Sequence, residues 1–296
     1  MTLPRQFLPG TTYFITRRCT QRQFWLKPTK QTTQIFLYCL AVAAERTGVV
    51  IHAVCVMSNH YHIIISDPQT RAAEFYAWVH KYVAKAVNAS LGRWENLWSS
   101  EKTSVIALDS QADVMDKLIY SLCNPVEAGL VAAADKWPGV WLYKASHSQT
   151  IRRPEAYFRD DGTMPEQAKL NIEPPPQFAH LPAQQFESLV ETALHAREQE
   201  IREGMKANGH SFMGIRAVMQ QLQCNRPKNC EPRRGLDPRI AAKNKWQRIE
   251  AIRRHKVFQF EYRQAFKSWQ AGVRDILFPA GTYALRVFAG VKCHPG

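Results

Sequence analysis

The stretch VVIHAVCVMSNHYHIIIS, residues 49–66, decides how this chain is read. Two apolar runs, 49–57 and 60–66, flank Ser58-Asn59, the pattern of two strands joined by a tight hairpin turn. Side chains alternate along a strand, so His60 and His62 point to one face and Tyr61 to the other. The flanking VCVM and IIIS suggest a central strand, where two polar groups on one face need a partner. Two imidazoles at this spacing on a rigid strand reach one divalent ion, provided both are neutral. A bare His-x-His more often describes two half-exposed strand histidines. Two other His-rich chemistries are excluded: a triple alternating-histidine phosphate site needs His at 64, which is Ile64, and no His pair stands four apart on a helix.

Outward from this hairpin, TTYFITRR at 11–18 alternates as a strand and 30–46 carries a helical apolar stripe that Gly48 ends. Residues 71–91 read as a helix, SVIAL at 104–108 as a fourth strand, and 111–123 as a third helix. The order β-α-β-β-α-β-α predicts an α+β fold: a ferredoxin-like antiparallel sheet with helices on one face.

The third helix carries the second chemical signal. In DVMDKLIYSLCNPVEAGLV (113–131), Val114, Met115, Leu118 and Leu122 form an apolar stripe, while Tyr120 falls on the polar face. Asn124 is one turn on, beside Tyr120, and Pro125 predicts that the helix ends there. Taken alone, such a tyrosine is an ordinary surface residue. Placed near a metal ion it becomes a nucleophile, because a phenolic oxygen attacks a phosphodiester when charge on the phosphate is neutralised.

Composition sets the partner class. The 296 residues include 45% hydrophobic and 11% aromatic side chains, a globular balance. No run approaches the roughly 20 apolar residues of a membrane span. The first residues lack a secretory apolar core, and seven scattered cysteines, with no paired CxxC around Cys224 and Cys230, predict a cytoplasmic protein without a structural zinc. The net charge of +14 points to a polyanion, most simply nucleic acid. The excess is uneven: residues 1–150 carry 15 basic and 10 acidic side chains, 151–200 carry 5 and 9, and 201–296 carry 19 and 6. With EPPPQ at 173–177, this predicts three parts: a catalytic domain over 1–150, a Pro-rich acidic linker over 151–185, and a basic helical extension over 186–296. No internal repeat is present.

His60-Tyr61-His62 resembles the HUH motif, histidine-hydrophobic-histidine. YSLCNPVEAGLV at 120–131 resembles the tyrosine helix of single-tyrosine HUH transposases, the insertion-sequence 200-like enzymes, and within them the REP-associated tyrosine transposases. WPGVWLYKAS (137–146) resembles the stretch that follows the tyrosine helix in this family, and FPAGTYALRVFAG (278–290) resembles the end of its longer bacterial members. Ser58 stands where many members carry Pro, and Ser121 and Cys123 replace bulkier or polar residues beside the tyrosine. The resemblance implies that His60, His62 and Asn124 ligate Mg²⁺ or Mn²⁺ and that Tyr120 is the nucleophile. It implies cleavage of single-stranded DNA at hairpin palindromes through a 5′-phosphotyrosine, with strand transfer. A DNA-binding regulator that does not cleave is the alternative, and the resemblance leaves open monomer or homodimer.

Further contacts to nucleic acid are expected at Arg17, Arg18 and Arg22, which follow the first strand. In the helical stretch 237–270, Lys243, Lys245, Arg248, Arg253, Arg254 and Lys256 are expected to meet phosphates. The interleaved Trp246, Phe258, Phe260 and Tyr262 are expected to pack on the first domain, and Ser211 to cap a shorter helix.

Overall fold

The computed structural model describes residues 4–158, 162–228 and 239–295; Cys230 lies outside them. A central sheet is built from β1 (Thr11–Arg18), β2 (Val50–Met57), β3 (His60–Asp67) and β4 (Ser104–Leu108) in the order β2-β3-β1-β4, each pair antiparallel. This is the ferredoxin-like order. Two short strands extend it: β5 (Trp141–Leu142) beside β2, and β8 (Ile240–Ala241) parallel to β4. The hairpin turn is as read, with Met57 paired to His60 across Ser58 and Asn59.

Between β1 and β2 runs α1 (Lys30–Thr47), started by the Thr29 side chain and ended by Gly48 at φ 67°. That left-handed angle disfavours a Cβ by roughly 1–2 kcal/mol, so glycine belongs there. With α2 (Ala72–Ser90), α1 covers the sheet face that carries Ile15, Tyr61, Ile63 and Val54. The other face is also apolar, with Phe14, Ala53, Cys55, Ile64 and Ile106, and α3 (Gln111–Glu127) packs on it. Helices therefore lie on both faces rather than one, because the central strands are apolar at odd and even positions alike.

The α3 helix also runs past its expected end, through Pro125 to Glu127. Pro125 forfeits only the bond to the Ser121 carbonyl, and burial of Pro125 and Val126 offsets that loss.

The described residues of the 151–185 segment pack on the rest of the chain instead of forming a free linker. Strands β6 (Gln149–Arg152) and β7 (Gln167–Leu170) form a hairpin against α1, burying Ile151, Ala168, Leu170 and Ile172. The proline run is then stitched to the sheet, with Glu173 N donating to the Ile51 carbonyl at 3.0 Å. Prolines here hold an extended path over a surface. Beyond them, α4 (Ala183–Ala207) buries Phe186, Val190 and Leu194 with α3. Each such side chain contributes about 1.5–3 kcal/mol, so α4 completes the first core instead of starting a separate extension.

Among the described residues the remaining α-helices are α5 (Ile215–Gln220), α6 (Lys245–Gln270) and α7 (Ala284–Ala289). Gly214, not Ser211, precedes α5. The long α6 buries Ala251, Phe258 and Ala265, a stripe of one residue in seven. Phe258 packs inward as expected, but Trp246 and Phe260 are 75% and 61% exposed, since so narrow a stripe leaves the rest of α6 in water. Among the described residues, no helix is long and apolar enough to cross a membrane.

A β-bulge at His52 shifts the β2–β3 register and buries this imidazole. His52 Nδ1 donates to the Glu173 carbonyl at 2.7 Å and Nε2 accepts from Ser66 Oγ at 2.7 Å. Burial, opposed by the Glu173 bond, lowers its pKa from 6.5 to about 4. Between these values the unfolded chain binds more protons than the folded one, so the stability is present above pH 6.5 and lost toward pH 4. About 3 kcal/mol is at stake for a shift of this size. A His52→Gln variant, which keeps a donor and an acceptor, is expected to flatten the fall in Tm between pH 6.5 and 4.5, measured by thermal unfolding.

Candidate active site

The site lies at the hairpin end of the sheet, on the α3 face. The β1–β3 register sets Thr16 opposite His62 and Arg18 opposite His60. Both imidazoles are held by their Nδ1 atoms. Asn59 Nδ2 donates to the Arg22 carbonyl at 3.2 Å, which turns Asn59 Oδ1 toward His60 Nδ1 at 2.6 Å. A carbonyl oxygen only accepts, so His60 carries its proton on Nδ1 and presents a bare Nε2. His62 Nδ1 lies 2.9 Å from Thr16 Oγ1, while its Nε2 faces Asn124 Nδ2 at 3.3 Å. With Nδ1–H donating to Thr16 the His62 Nε2 is bare; with Nδ1 accepting from Thr16 the Nε2 carries the proton toward His60.

The two Nε2 atoms stand 3.1 Å apart. Two nitrogen ligands of one ion, at about 2.1 Å and roughly 90–100° from each other, are separated by about 3.0–3.2 Å. Without an ion one of the two Nε2 atoms donates to the other at this distance, and an ion would take the place of that proton. Burial pushes His60 down to about 4, helped by Arg18 and Arg22, and pushes His62 well below its usual range, helped by His60, Arg18 and Lys117. Both rings are therefore neutral at pH 7, the ligating form. The residues fit a divalent ion: two imidazoles, with the Asn124 amide as a third donor once its oxygen is turned inward. Two neutral imidazoles and one amide make this donor set uncharged.

Tyr120 lies beside the pair. Its ring meets His62 edge-on at 5.3 Å and Phe14 at 6.1 Å, and Phe14 in turn stacks on His62 at 5.3 Å. Tyr120 is 40% exposed, half held by these rings and half open to a groove of about 600 Å³ between α3 and α4. Lys117, one turn before it on α3, places Nζ 5.5 Å from the ring centre. The sequence reading missed Lys117; its i, i+3 spacing from Tyr120 is the signal that marks it. It likewise took Asn59 for a turn residue and passed over Thr16.

The structure thus brings together His60, His62, Asn124, Tyr120, Arg18 and Arg22. Arg17, at an odd position on β1, turns to the opposite face, where its Nη1 donates to Thr103 Oγ1 at 2.6 Å. Lys243 reaches the Tyr120 groove, but its Nζ pairs with Asp116 at 2.8 Å. Arg254 pairs with Asp109 at 3.0 Å, and Lys245, Arg248, Arg253 and Lys256 stand exposed along α6.

No family model and no curated protein matches the chain. Solved structures do. A REP-associated tyrosine transposase bound to a REP hairpin aligns at 20% identity over 47% of this chain and 81% of its own, with a TM-score of 0.40. The chain is similar to it. A candidate transposase from Deinococcus radiodurans aligns at 16% identity over 40% of this chain and 93% of its own, with a TM-score of 0.30.

Mn²⁺ binding followed by calorimetry is expected to weaken by at least about 100-fold in His62→Ala. In Thr16→Val, which removes only the atom holding His62, the loss is expected to be about 10–100-fold.

Proposed function

We propose that this protein cleaves and transfers single strands of DNA at hairpin-forming palindromes, as a metal-dependent transposase of the single-tyrosine HUH type. The observation that carries this reading is the ring of Tyr120 set against His62, with both histidine Nε2 atoms converging beside Asn124. His60, His62 and Asn124 would hold Mg²⁺ or Mn²⁺. A bound ion of this kind withdraws charge from the non-bridging oxygens of a phosphodiester and orients it.

The remaining work falls to the chain itself. Arg18, Arg22 and Lys117 lie close enough to lower the histidine pKa values, so they supply positive potential where a phosphate would sit. Tyr120 Oη attacks phosphorus, forming a P–O bond to the ring while the bond to the 3′ oxygen breaks. The phenolic proton departs and the 3′ oxygen takes up a proton, leaving a 5′-phosphotyrosine and a free 3′-hydroxyl. Attack by another 3′-hydroxyl reverses the step and completes transfer. The exposed cations of α6 extend positive charge along a bound duplex or strand.

Wild-type protein incubated with Mn²⁺ and hairpin oligonucleotides is expected to give covalent adducts on denaturing gels. Tyr120→Phe is expected to give none while still binding the hairpin. Persistent adducts in Tyr120→Phe reject this tyrosine; hairpin binding by wild type without cleavage under any divalent ion leaves a non-cleaving regulator.

A further inference from the structure

A second groove opens on the other side of the sheet, away from the histidines. It has a volume of about 980 Å³ and runs between the outer side of α2, residues 4–7 of the N-terminal segment, and the α6–α7 region that folds back over them. It takes no part in the site described above.

Its charge is one-sided. Arg5, Lys81, Lys102 and Arg239 line it, and the one carboxylate among its lining residues, Glu74, is gripped by Arg71 through two bonds of 2.7 and 2.8 Å. Arg239 is fixed in place by the Pro4 carbonyl at 2.8 Å, so its charge is part of the groove wall. Lys81 and Lys102 are exposed at the rim. The potential calls for an anionic occupant.

The walls between these cations are aromatic. Tyr76 and Trp78 come from α2, Tyr283 immediately precedes α7 and Phe288 lies in its last turn. Phe288 is 81% exposed, a large apolar ring held in water at the groove mouth. Rings set among cations match the chemistry of an unpaired nucleic-acid strand: the cations follow the phosphates and the rings receive base faces. A duplex keeps its base faces stacked against each other and has none to offer. We propose that this groove is a binding site for single-stranded nucleic acid, distinct from the site around Tyr120.

The groove is walled by residues far apart in the sequence, from Pro4 to Phe288. Gly281, at φ 84°, lets the backbone pass so close to the N-terminal segment that a Cβ would lie 3.1 Å from Phe7 N and O. Phe7 N donates to the Gly281 carbonyl at 3.0 Å, and Arg286 reaches Thr70 Oγ1 at 2.6 Å. These contacts hold α7 against the catalytic sheet and so form the second wall.

The test uses the full-length His62→Ala protein, so that cleavage plays no part, with dye-labelled oligothymidylate and oligouridylate. Neutralising Lys81 and Lys102 together (Lys81→Gln, Lys102→Gln) is expected to reduce the slope of log affinity against log salt by about 1.4. Phe288→Ala is expected to weaken binding at least about fivefold with the slope unchanged. Photocross-links from bromouracil-substituted strands are expected in the peptides holding Trp78 or Phe288. Wild-type affinity and slope in all these variants overturns the proposal, as do cross-links confined to the Tyr120 side or tighter binding of polyglutamate than of either strand. A preference for one sugar identifies the strand as DNA or RNA. Adduct assays on the His62-intact protein report the other site separately, so loss of one reading leaves the other standing.

Discussion

The pairing of β1 with β3 at the hairpin end governs the rest of this structure. It sets Thr16 against His62 and Arg18 against His60, and it leaves Tyr61 on the far face, where Phe36 and Trp98 pack edge-on to its ring and His80 bonds to its hydroxyl. A slip of one residue would reverse all three side chains. It would carry the two imidazoles in among α1 and α2 and turn toward α3 a tyrosine whose ring now has no access to water. The apolar contacts of Tyr61 thus enforce the register that the histidines need.

Electrostatics then follow from burial. The donors are neutral because a low-dielectric setting disfavours imidazolium, and Arg18, Arg22 and Lys117 add to that tendency. The two imidazoles and the Asn124 amide bring no negative charge of their own, so the charge of the site comes from these cations. Asn59 extends the chain of control outward, because the Arg22 carbonyl sets the Asn59 amide and the amide sets the His60 proton.

The tyrosine helix is braced from three sides. Its apolar stripe docks on β2 and β3, α4 covers its flank, and the segment entering α6 ties its start, with Lys243 N donating to Asp113 at 2.8 Å and Lys243 Nζ paired to Asp116. The basic last third is consequently part of the frame. Its cations divide between those held by carboxylates, such as Lys243 and Arg254, and those left to solvent on α6.

By itself the sequence determined what depends on local order along the chain: strand alternation that puts His60 and His62 on one face, the two-residue turn, the helix that Gly48 ends, and the spacing of Tyr120 and Asn124. These are periodicities of 2 and 3.6 residues, and they survive any arrangement of the elements in space. The tertiary structure decided whatever depends on which surfaces meet. It sent Arg17 away from the site, placed α3 opposite α1 and α2, pressed the proline segment onto the sheet, and carried α6 and α7 back over the N-terminal segment. Proline density and net charge look alike in a free linker and a packed one. Only apolar contact across long sequence separations distinguishes them, and that is settled when the core closes.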